Sequence, residues 1–80
     1  MASESPRIAL HISAEILGEL GRQRRSKAWL AEKTGIPERT LHRRLSPIGA
    51  GSLTIDEMAS IASALGVSLA TLVAPLGQAA

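Results

Sequence analysis

Eighty residues allow one small domain with a modest core. No cysteine is present, which excludes a disulfide scaffold, a thiolate zinc site and a thiol nucleophile, and fits a reducing cytosol. The net charge is only +2, and no apolar run approaches the roughly 20 residues that span a bilayer.

The opening MASESPR lacks the basic-then-apolar layout of a secretory signal. A cytoplasmic protein is the expectation. Trp29 is the sole aromatic residue, so the core must be aliphatic, and abundant Ala and Leu favour helices over strands. Residues 1–80 read as a single all-α domain, with a loose arm at 1–6 and a frayed tail at 77–80.

Helix 1 is expected from near Arg7 to about Arg22. Ile8, Ile12, Ile16 and Leu20 recur every four residues, with Ala9 and Leu17 widening the apolar stripe. Gly18 and Gly21 weaken it, and Gly21 marks fraying near its end. A basic connector, Gly21 to Arg25, follows. Ser26 is a good N-cap for helix 2, Lys27 to Thr34, on which Leu30, Ala31 and Thr34 share a face. Gly35 suits a left-handed helix end, and Ile36 a buried plug in the turn. Pro37 suits the first position of helix 3, which runs to about Leu45. Leu41 and Leu45 point inward, while Glu38, Arg39, His42 and Arg43 point outward.

Residues 46–53 form a Gly-, Pro- and Ser-rich loop. Its Gly49-Ala50-Gly51 lacks the lysine and the preceding strand of a phosphate-binding loop. Thr54 and Glu57 form a capping box for helix 4, with Leu53 and Met58 at staple spacing. Met58, Ile61, Ala62 and Leu65 make its stripe, and Gly66 stops it. Ser68 caps helix 5, which Pro75 and Gly77 end. Leu69, Leu72, Val73 and Leu76 leave that helix apolar on more than one side.

The charge is unevenly placed. Eight of the nine Lys and Arg lie between Arg22 and Arg44, opposed there only by Glu32 and Glu38, and no basic residue follows Ser46. This is the footprint of a nucleic-acid face, although a solvated basic surface would look the same. The stretch from Ser26 to Ser46 reads as a helix-turn-helix whose second helix, 37–45, enters the major groove. Arg39 and Arg43 lie about one turn apart and can each donate twice to guanine O6 and N7. Glu38 can accept from cytosine N4, or simply stabilise its helix N-terminus. His42 can donate to a base or a phosphate, or be an ordinary exposed histidine. Arg22, Arg24, Arg25, Lys27 and Arg44 are candidate phosphate clamps. Lys33 and His11 read as plain surface. Trp29 either packs against helix 1 or helix 4, or contacts the DNA backbone or a second subunit. No acid/base pair, activated nucleophile or metal cluster points to an enzyme, and no cofactor is expected.

The segments WLAEKTGIPERTLHRRL and LTIDEMASIASALGVSLATL resemble the lambda-repressor-like helix-turn-helix family, also called the XRE or Cro/C1 type. The likeness spans roughly residues 8–76 and is carried by Leu30-Ala31, Gly35-Ile36 and the run Ile61-Ala62…Leu65-Gly66-Val67-Ser68. It implies a compact five-helix domain with the helix-turn-helix at helices 2 and 3. The arrangement is similar to repressors and Cro-type regulators of actinobacterial phages, which implies the bacterial cytosol, or the host cytosol for a phage-encoded protein. By position, the resemblance implies base contacts from Glu38, Arg39, His42 and Arg43, and a phosphate contact from Ser26 and Lys27. Arg25, Arg44 and the Pro47 loop depart from the family pattern.

The implied function is a sequence-specific, double-stranded-DNA-binding transcriptional regulator, acting as a repressor or Cro-like protein. A homodimer on a palindromic operator would double the base contacts, with Leu69, Leu72, Val73 and Leu76 as its interface. Those residues could equally close the monomer's own core. The alternatives are an antitoxin-type regulator that also binds a toxin, and a helical protein-interaction module.

Overall fold

The computed structural model describes residues 4–49 and 52–78, with side chains over 8–49 and 52–73. The chain is all-α over these residues: α1 (Glu4–Gln23), α2 (Lys27–Thr34), α3 (Glu38–Arg44), α4 (Ile55–Leu65) and α5 (Leu69–Gln78).

Helix α1 is longer than its periodicity suggests. It begins at Glu4, not near Arg7, so residues 4–6 of the expected arm are helical. Pro6 then falls in the first turn, where its missing N–H costs no helical hydrogen bond. Residues 1–3 lie outside the described ones. The buried face carries Ala9, Ile12, Ser13, Ile16 and Leu20. Ile8 and Leu17, expected within the stripe, sit at its margins and are exposed. His11, expected at the surface, is half-buried, and its Nε2 is sealed from solvent with no partner among the described residues.

The end of α1 is capped, not frayed. Arg24 N–H donates to Gly21 O at 3.2 Å and Arg25 N–H to Leu20 O at 2.9 Å. This is a Schellman closure with Arg24 in the left-handed position. The connector therefore shrinks to Arg24–Ser26.

Helix α4 matches its local signals. Thr54 Oγ1 accepts from Glu57 N–H, and the Glu57 carboxylate accepts from Thr54 N–H, both at 3.0 Å. Gly66 ends the helix at φ 75°. Helix α5 continues past Pro75, expected to end it, and through Gly77 to Gln78. Proline's fixed φ is itself helical, and what it removes is the N–H that would bond the Thr71 carbonyl. Residues 79–80 of the expected tail lie outside the described ones.

Helix α4 packs against α1, α2 and α5, α1 also packs on α5, and α3 rests on α2. One aliphatic core joins them, with Ile16, Leu30, Leu41, Ile61 and Leu72 fully buried. Each such side chain contributes about 1.5–3 kcal/mol of burial free energy.

Candidate nucleic-acid interface

The pair α2–α3 is built by local chemistry. Ser26 Oγ accepts the N–H of Trp29 at 3.0 Å and starts α2. Gly35 ends it at φ 80°, where its N–H donates to Ala31 O at 2.9 Å. A side chain at this φ would be strained, so glycine suits the turn. Ile36 is half-buried against the core. Pro37 precedes α3 as its N-cap, one residue outside the expected helix, and Leu45 follows it. Leu41 and Leu45 are both buried, which fixes the orientation of a helix too short to stand alone.

That anchorage leaves one face outward. Glu38, Arg39, His42 and Arg43 are all exposed. The C-terminal turn carries His42, Arg43 and Arg44, a placement that also favours the helix macrodipole. Lys27 reaches across from α2, with Nζ 3.5 Å from His42 Nδ1, and Glu38 Oε2 lies 3.6 Å from His42 Nε2. The start of α2 is therefore joined to the outward face of α3 by three of the expected contact residues.

Beside Ser26, the Arg25 guanidinium lies 4.3 Å from the centroid of the Trp29 ring. Trp29 is half-buried and packs against the core. Its inward face is thus structural and its ring also orients a cation. Ser26 is exposed, and its hydroxyl proton remains a donor while Oγ caps the helix.

Two expected clamps are otherwise engaged. Arg44 Nε bonds Glu57 Oε1 at 3.1 Å, with both side chains 19% exposed. Arg44 therefore ties the end of α3 to the start of α4 and is not an open phosphate clamp. Arg22 places Nη2 2.8 Å and Nε 3.2 Å from Glu19 Oε1. Glu19 also accepts from Gln23 at 3.0 Å. The Gln23 bond first, and Arg22 second, hold the Glu19 carboxyl below the usual carboxylate range.

The loop after α3 folds back on it. Ser46 Oγ donates to Arg43 O at 2.8 Å and accepts from Gly49 N–H at 3.2 Å. A Cβ on Gly49 would collide with the Arg43 carbonyl and Cγ, so only glycine fits this approach. Ile48 beside it is almost wholly exposed. Among the described residues, no three His, Asp or Glu side chains gather where a metal ion could be held.

On α5, Leu72 is a core residue at 2% exposure and is unavailable as the expected dimer contact. Leu69 and Val73 are half-buried against the same core, and the side chain of Leu76 lies outside the described residues. The packing of α5 on α1 and α4 absorbs part of its apolar surplus.

Comparisons with protein-family models, with curated proteins and with solved structures found no match. The site residues that sequence reasoning missed are Glu57 as the anchor of Arg44, Trp29 as the platform for Arg25, and Gly49 as the seat of the loop. Glu57 was visible only as a capping residue, because its partner lies 13 positions away.

Proposed function

We propose that this protein is a sequence-specific, double-stranded-DNA-binding regulator of the helix-turn-helix kind, with α3 in the major groove. The observation that carries the reading is the outward face of α3. Leu41 and Leu45 are buried while Arg39 and Arg43, one turn apart, remain exposed on a helix of major-groove size. Arg39 and Arg43 are assigned to base edges, with Glu38 beside them. Lys27, Ser26, Arg24 and Arg25 are assigned to the backbone on the connector and the start of α2. A repressor or Cro-like role, acting as a homodimer on a palindrome, is the regulator type that fits so few base contacts per subunit. Among the described side chains of the expected dimer face, Leu69 and Val73 are left to support such a dimer.

Selection from random duplex DNA at two salt concentrations tests the reading. An enriched motif with base contacts confined to the major groove supports it, and a two-fold motif supports the dimer. Failure to retain any duplex at low salt refutes it and favours the interaction module.

A further inference from the structure

Ile48 projects from the loop after α3 and is 98% exposed, the most of any large apolar side chain among the described residues. The loop beneath it is tied down. Ser46 Oγ donates to Arg43 O at 2.8 Å and accepts from Gly49 N–H at 3.2 Å. Ser46 N–H also donates to Arg43 O at 3.2 Å, and Gly49 O accepts from Ser52 N–H at 3.0 Å. Pro47, inside this turn, has its φ fixed by its ring. The chain at Gly49 lies against the Arg43 side chain itself, since an added Cβ there would stand 2.8 Å from Arg43 Cγ. An apolar side chain is thus held out in water next to a cation on the outward face of α3.

This placement gives the free domain almost nothing, because so exposed a side chain buries almost no area. A fixed loop does lower the ordering cost of any contact that Ile48 makes on binding. Its neighbours narrow what that contact is. A protein surface that covered Ile48 would also have to desolvate the adjoining Arg43 cation. The major groove of DNA accepts both. Arginine pairs with a guanine edge, and the one apolar group that base edges present there is the thymine C5-methyl. Isoleucine has no donor or acceptor, so that methyl is the base-edge group it can read.

We propose that Ile48 reads the C5-methyl of a thymine beside the base that Arg43 contacts, as a specificity-determining residue supplied by the loop and not by α3. This rests on the DNA-binding reading above. One methyl taken out of water corresponds to about a fourfold change in affinity.

Replacing thymine by deoxyuridine removes this methyl and leaves the hydrogen-bonding edge of the base intact. The full chain is measured on the duplex selected from random DNA, and on the same duplex with deoxyuridine in place of each thymine in turn. At one thymine per half-site the replacement should weaken binding by about fourfold. Ile48→Ala, which removes the side chain beyond Cβ, should bind the thymine duplex more weakly by a similar factor and be insensitive to deoxyuridine at that position. The exposed site should leave the helical signal of this variant unchanged, and the unchanged charge should leave its salt slope unaltered. A selected motif in which no thymine is sensitive to deoxyuridine overturns the proposal. Undiminished sensitivity in Ile48→Ala also overturns it, because the methyl is then read by another group. If no duplex is retained even at low salt, the DNA-binding reading itself fails and takes the proposal with it.

Discussion

Arg24 holds a left-handed backbone at φ 56°, while the other left-handed helix ends among the described residues are Gly35 and Gly66. A Cβ in this conformation costs roughly 1 kcal/mol, which glycine avoids at the expense of a freer unfolded chain. Arg24→Gly should therefore raise unfolding stability by roughly 0.5–1 kcal/mol in denaturant titration. The same variant should bind duplex DNA more weakly, with a salt slope lower by about one. The end of α1 was read to within one residue, at Arg22 against Gln23, but its cap was not, because an arginine in the glycine position gives no stop signal. His42, in contrast, could be singled out as outward-facing from its spacing, but its link to Lys27, 15 residues away, could not.

The helices themselves were legible wherever their ends are defined by neighbouring residues. Ser26, Gly35, the Thr54–Glu57 box and Gly66 act within a few positions and mark α2 and α4 at their observed bounds. Long-range pairings gave no such signal, and Arg44 shows the consequence. From sequence it is one more cation near a basic helix, whereas in the fold it bonds the carboxylate that already accepts from Thr54 N–H. Glu57→Ala removes the box and the inter-helix bond together and should cost about 1–2 kcal/mol in thermal or denaturant unfolding. Glu57→Gln keeps an acceptor for Thr54 and should cost clearly less. Leu41→Ala empties a fully buried site on α3, the shortest helix, with an expected loss of about 2–5 kcal/mol. Since the whole domain is expected to have only about 4–12 kcal/mol, that change threatens the seating of α3 and not merely its stability.

At the scale of the molecule, charge and core are segregated. The aliphatic core runs through all five helices, while the cations gather on the α1–α2 connector, the start of α2 and the outward face of α3. The charge map was readable from sequence because clustering along the chain survives folding when the cluster spans one helix pair. The use of Leu72 inside the monomer was not readable, because an apolar helix has the same sequence whether it covers its own core or a partner. Acid stability draws on the Glu19 carboxylate, whose partner Gln23 also bridges two helices. Gln23 Nε2 donates both to Glu19 and to Leu65 O, joining the end of α1 to the end of α4. The depressed folded pKa of Glu19 means that its contribution is present above the usual carboxylate range and is lost as the pH falls through the folded value. Glu19→Gln should accordingly lower Tm slightly near neutrality and match the unaltered chain in acid, so that the acid limb of the Tm profile flattens.

The most direct test of the account compares the unaltered chain with the double variant Arg39→Ala, Arg43→Ala in selection from random duplex DNA. Both arginines are exposed, so the variant should fold with an unchanged helical signal. The predicted result is loss of the enriched motif, with weak, salt-sensitive binding to all sequences retained through the connector and Lys27. Selection of the same motif at unchanged affinity would contradict the assignment of α3 to the major groove.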